Sequence, residues 1–257
     1  MTDIATIRAH RPGPRAWARL VAAEATMVAR DTSGLIIPFG LPLLILVMNG
    51  MSVQDEAEAT GIPIFERYVI PVALTIVIAV IGVVNMPSFL AYYRRTQVLR
   101  RLAVTPANPG MILAAQVIVG MIQSAVGIAI GVAAAMLFFD VGLPEHLGTA
   151  LAVLGLAALA MYAVGMFVAA VAPSGNAAVA IGLTLFFLFG ASGGMFGPTD
   201  NLPEPVAAVG EALPFGAAVQ AVGAAWAGGE QNLAHLLALA AAIVVSAAIS
   251  VKAFRWD

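Results

Sequence analysis

The basic residues of this chain are sorted by an alternation of apolar runs, and that sorting constrains the fold more than any motif does. Arg8, Arg11, Arg15, Arg19 and Arg30 precede the first run. Arg94, Arg95, Arg100 and Arg101 lie between the second and third, and Lys252 and Arg255 follow the last. Eleven of the twelve bases therefore share one parity, and only Arg67 breaks it. Asp55, Glu56, Glu58, Glu66, Asp140, Glu145, Asp200, Glu204, Glu211 and Glu230 take the other parity. Segregation of this kind is the positive-inside pattern of a polytopic membrane protein. It predicts an orientation as well as a class: the Arg-bearing side, with both termini, faces the cytosol.

Composition agrees. Of 257 residues, 61% are hydrophobic and only 10% charged, where a soluble domain carries about 25% charged residues. So few charges cannot cover a water-facing surface. The absence of Cys excludes disulfides, thiolate metal sites and thiol catalysis. No basic patch is interleaved with aromatics, which argues against nucleic-acid binding. The first apolar run begins near Leu35, behind an Arg-rich segment longer than a secretory n-region, so it reads as a retained signal anchor. Abundant Ala, Gly and Val point to a high-GC bacterial coding bias.

A helix crossing a bilayer needs about 20 apolar residues. Six runs qualify, from about Leu35 to Val53, Tyr68 to Ala91, Pro109 to Phe139, Leu147 to Ala172, Ala177 to Phe196 and Leu233 to Phe254. Ahead of them, Trp17, Leu20, Val21, Met27 and Val28 alternate with Arg15, Arg19, Glu24 and Arg30, the pattern of an amphipathic helix lying in the membrane interface. Between the fifth and sixth runs, 197–232 is apolar but interrupted by Pro198, Pro203, Pro205 and Pro214. Two short helical stretches, Val206 to Ala212 and Phe215 to Ala227, read as a re-entrant hairpin entering from the outside, which is tolerated where protein covers the backbone. The expected fold is an all-α membrane protein: one domain over 1–257, with a tail and interfacial helix in 1–33 and a six-span bundle in 34–257.

Chemistry is sparse. No Asp, Glu, Lys or Arg lies in the middle of a run, where proton relays and ion sites usually place one. His10, His146 and His235 are scattered, with no metal-ligand spacing. The phosphate-gripping Gly-x-x-x-x-Gly-Lys-Ser/Thr is absent, and the only lysine is Lys252. The polar side chains inside the runs are Asn49, Thr75, Asn85, Ser88, Gln116, Gln123, Ser124, Tyr162, Thr184 and Ser192. Most are expected to hydrogen-bond between helices, each adding about 0.5–1 kcal/mol. The Gly pairs Gly127/Gly131, Gly190/Gly194 and Gly193/Gly197 permit close helix approach.

One segment carries a resemblance. Tyr93-Arg94-Arg95-Thr96-Gln97-Val98-Leu99-Arg100-Arg101-Leu102-Ala103-Val104-Thr105-Pro106 resembles the first cytosolic loop of ABC-2 type permeases, in which a charged stretch leads into a Leu-x-Arg-Leu-like core and ends in Ser/Thr-Pro. Arg95 and Gln97 stand where the family often has acids and a Gly. The order of elements resembles the family over nearly the whole chain, and most closely its daunorubicin-resistance-permease-like members.

The resemblance implies a permease subunit of an ATP-binding-cassette exporter. This chain would bind no cofactor, and ATP and Mg would sit on a separate ATPase subunit. Arg94, Arg95, Leu99, Arg100, Arg101, Leu102 and Thr105 would form the coupling segment against that ATPase. A second permease copy or paralogue would complete a homo- or heterodimer, with spans one, two and five beside the path. Asn49, Asn85, Thr184 and Ser192 are the polar candidates for that path. Its apolar, uncharged character favours drugs, antibiotics or lipid-like cargo. Polysaccharide or glycolipid export ranks second, because aromatics for stacking sugars are only 7%. A stand-alone secondary transporter or channel is the alternative of another class, and it lacks an embedded titratable group.

Overall fold

In the computed structural model, residues 13–53, 63–95 and 109–253 are described, and among them the chain consists of helices joined by short turns, with no strand. Pro14–Arg30 is the amphipathic helix. Six helices are long and apolar enough to span: Gly34–Ser52, Phe65–Tyr93, Gly110–Phe139, Leu147–Val171, Gly175–Ser192 and Leu233–Ala253. They match the six apolar runs within a few residues. The fifth ends earlier than its run, at Ser192, where Gly193 and Gly194 break the helix.

The two ends of the bundle are sorted as the charges are. At the acidic end, the Phe65 and Phe139 rings lie 4.6 Å apart against Gly50. At the basic end, Tyr93 and Ile112 form a small apolar cluster with Met27 of the amphipathic helix. The main apolar core runs between the ends.

Span two is the axis of this core. Every residue from Ile70 to Ala79 is buried. The helix widens twice, into π-turns at Phe65–Val69 and Val80–Asn85. The second widening is where the neighbouring helices come closest. The carbonyl of Gly82 occupies the space a Cβ on Gly165 of span four would need, and a Cβ on Gly182 of span five would stand 2.5 Å from the Val83 carbonyl. Only glycine permits that approach. Gly127 and Gly131 also sit tightly, with a Cβ at Gly127 falling 2.6 Å from Val77 Cγ1. Gly197, by contrast, faces open space.

Span two was expected beside the path. In the structure it lies almost wholly inside the helix bundle, while spans one, three, five and six keep apolar faces exposed. Met48 and Met51 on span one and Phe187 and Leu188 on span five are among the exposed side chains.

The proline-broken segment forms two helices, Glu204–Ala212 and Pro214–Trp226, bent by 83°. The second limb is not a surface helix. Nearly all its residues are buried, including Phe215, Val219, Val222 and Trp226. It packs among span two, span four and span six. Small residues make this possible: Gly223 rests on the Arg67 carbonyl, and Gly210 and Gly216 meet backbone to backbone. The turn after it meets the turn before span four, where Glu145 packs on Gly228, which has a φ of +69° and so suits glycine.

Candidate functional site

The loop that carries the resemblance is bracketed by two stems, and both are fastened to the amphipathic helix by one carboxylate. Apolar and partly buried residues of that helix recur at Trp17, Leu20, Val21, Met27 and Val28. A 3.6-residue period places position 24 on the same stripe. Glu24 is therefore buried, 5% exposed, and does not belong to the polar face on which sequence alternation placed it. Arg15, Arg19 and Arg30 do lie exposed on the opposite face.

Glu24 finds its partners across the helix junction. Tyr93 Oη donates to Glu24 Oε2 at 2.5 Å. Gln116 Nε2 donates to the same oxygen at 2.6 Å. Tyr93 sits just before the loop and Gln116 in the second turn after it, so one acceptor ties the amphipathic helix to the ends of spans two and three. Burial raises the Glu24 pKa above its ordinary 4.5, and the bonds from Tyr93 and Gln116 offset this only in part.

Of the expected coupling residues, Arg94 and Arg95 close the helix Met86–Arg95. Leu99, Arg100, Arg101, Leu102 and Thr105 lie outside the described residues. The stems thus define where the loop emerges. Glu24 and Gln116 were not among the candidate site residues. The signal that marks Glu24 is its place in the apolar stripe of the helix. Gln116 is legible only as a buried amide in want of a partner.

The path candidates do not converge. Asn85 Nδ2 donates to the Gly34 carbonyl at 3.1 Å, and Gln123 Nε2 donates to it at 2.7 Å. The reason is covalent. In a helix that carbonyl would accept from the N–H four residues on, and that residue is Pro38, which has none. A carbonyl left bare in the apolar interior is costly, and two amides from neighbouring spans satisfy it. Asn85 thus fills a gap in the helix ladder. Nearby, Ser124 and Tyr162 hydroxyls bond at 2.6 Å, the Tyr162 ring lying on Gly120.

Asn49 is half-buried near the far end of span one. Thr184 is exposed and bonds the Ala180 carbonyl of its own helix at 2.8 Å. Ser192 likewise bonds Leu188 O at 2.9 Å. Gly190-Ala191-Ser192-Gly193-Gly194 has the Gly-x-Ser-x-Gly spacing of a hydrolase elbow, but that device needs a strand-to-helix turn. Ser192 instead ends an apolar helix with its hydroxyl turned back onto it.

With the six spans, the buried bent pair and the stitched loop stems in place, the comparison with known families is direct. The model of the ABC-2 type transporter family matches residues 15–225. The chain belongs to that family. The match runs from the amphipathic helix to within one residue of the end of the buried limb, so it takes in every element just described except span six. Among curated proteins, none matches the chain. An ABC-2 chain of this build is a multi-pass membrane protein, the permease component of an ABC transporter, and its work is transport rather than catalysis.

Proposed function

We propose that this permease exports hydrophobic or amphipathic compounds, of drug, antibiotic or lipid-like character, and is powered by a separate ATPase polypeptide that holds the ATP and Mg. The ATPase docks on the segment 96–108, chiefly through Arg100, Arg101, Leu102 and Thr105, with Arg94, Arg95 and Leu99 at its edge. Two permease chains, identical or paralogous, enclose the path between them. The protein sits in the cytoplasmic membrane of a bacterium with both termini in the cytosol.

The observation that carries this reading is the double attachment of Glu24. A loop that receives force from a docked partner needs stems that move together and that pull on something. Here the stems of spans two and three share one buried acceptor on the amphipathic helix. A push on the loop therefore reaches that helix and the core axis at once. The nature of the cargo rests on the apolar faces of spans one and five, which offer no charge to a passing molecule.

The test uses the Arg100→Glu/Arg101→Glu double variant, co-expressed with the ATPase encoded beside this chain. Membrane insertion should remain normal, while cargo export and stimulation of ATP hydrolysis should both fall at least about tenfold, as expected when two attractive charges become repulsive at an interface. Unaltered export by the double variant would refute the docking assignment.

A further inference from the structure

Arg67 is the one base that breaks the parity rule, and it marks a cavity at the acidic end of the protomer. The cavity has a volume of about 820 Å³, within the range of about 300–1,000 Å³ typical of small-molecule sites. It lies between the start of span two, the turn after span five, the buried limb and the start of span six. Its charged side chains are Asp200, Glu211 and Glu230 against Arg67, with His235 beside them. With His235 neutral, the walls carry two net negative charges. The remaining wall includes apolar groups such as Ile64, Val219 and Ala224.

Two of the polar groups are held in place. Glu211 Oε1 accepts from Thr199 Oγ1 at 3.2 Å and from Gln220 Nε2 at 3.3 Å, so its carboxylate is oriented before anything binds. Its other oxygen, Oε2, lies 4.0 Å from His235 Nε2. Tyr68 donates its hydroxyl to the Gly194 carbonyl at 2.5 Å, which fixes the ring in the cavity wall. A fixed aromatic ring and an oriented carboxylate on a partly apolar wall are the elements that recognise an organic cation.

We propose that this cavity binds a hydrophobic organic monocation, its charge beside Glu211 and its apolar body against the ring of Tyr68 and the buried limb. Two sources supply that chemistry: a free cationic amphiphile, or the ammonium headgroup of a membrane lipid. The proposal stands on the cavity within one protomer and not on the export reading, so it is measured without the ATPase.

The experiment is equilibrium dialysis of radiolabelled tetraphenylphosphonium against the purified chain in neutral maltoside micelles, with empty micelles as blank. Tetraphenylborate, nearly the same shape with the opposite charge, is the control. Saturable one-to-one uptake is expected, at least about tenfold tighter for the cation than for the anion, and Glu211→Gln should weaken it about tenfold. Glu230→Gln and Asp200→Asn, at exposed positions where folding is not at stake, should each weaken it about threefold. Added phosphatidylethanolamine separates the sources: displacement of the probe supports a lipid headgroup as occupant, and retention supports a free amphiphile. Uptake no greater than the blank, equal affinity for the anion, or full binding by both Glu211→Gln and Glu230→Gln would overturn the proposal.

Discussion

Replacing Glu24 by Ala removes one acceptor shared by two donors, of which the Tyr93 hydroxyl also reaches Met27 Sδ at 3.3 Å. The Tyr93 hydroxyl and the Gln116 amide both point at Glu24 Oε2 in a buried site. A buried donor left without a partner costs about 1–3 kcal/mol, so the two together set a ceiling of about 6 kcal/mol. Relief of the burial of Glu24 itself offsets part of this, and the expected net loss is about 2–4 kcal/mol in docking of the amphipathic helix. Glu24→Gln keeps an oxygen of the same shape and should cost less than about 1 kcal/mol. Because burial raises the Glu24 pKa above 4.5, the docked state holds its proton to higher pH than the undocked one. Docking is then fully supported below pH 4.5 and weakens as pH rises through the docked pKa. The chain has no cysteine, so a Met27→Cys/Ile112→Cys pair reports docking by its disulfide yield. Yield should fall with rising pH in the otherwise native chain and drop at every pH with Glu24→Ala. Glu24→Gln supplies the baseline for the pH dependence of the thiols themselves. Equal yields with Glu24→Ala and native Glu24, or a native yield that rises with pH beyond that baseline, would show that the carboxylate does not hold the helix.

Three further outcomes follow from the packing. Gly165→Ala forces a methyl onto the Gly82 carbonyl and should lower stability by about 1–3 kcal/mol or more, read as loss of the monodisperse peak on heating in detergent. Pro38→Ala restores the N–H owed to the Gly34 carbonyl, so Gln123→Ala, costing about 0.6–1.7 kcal/mol in the native background, should cost less beside it, and a double-mutant cycle measures the difference. Thr184→Ala and Ser192→Ala remove hydroxyls that bond only their own helices among the described residues. Each should shift stability by less than about 0.5 kcal/mol, so a change in transport by either would place that position beside the cargo.

Much of this architecture is a matter of one-dimensional pattern. Spans one to four and six are simply long apolar runs, and the bent pair follows from Pro203, Pro205 and Pro214 interrupting an apolar stretch. The candidate site is different. Asn85 looks like a residue facing a path until Pro38 is seen to leave a carbonyl bare on a neighbouring helix. Glu24 looks solvated until its phase on the helix is compared with Val28 and Met27.

The linear order of residues decided which segments are long and apolar enough to cross a membrane, which ends of the helices carry the bases, and where the helices must break. Those properties depend on local hydropathy, on charge and on the missing N–H of proline, all of which a residue carries with it. Tertiary structure alone decided that span two is the buried axis, that its π-turn meets Gly165 and Gly182, and that one carboxylate joins both stems of the basic loop. Each of these depends on which helices become neighbours and at what rotation, and partners as far apart as Glu24 and Gln116 acquire a shared hydrogen bond only once the bundle has closed.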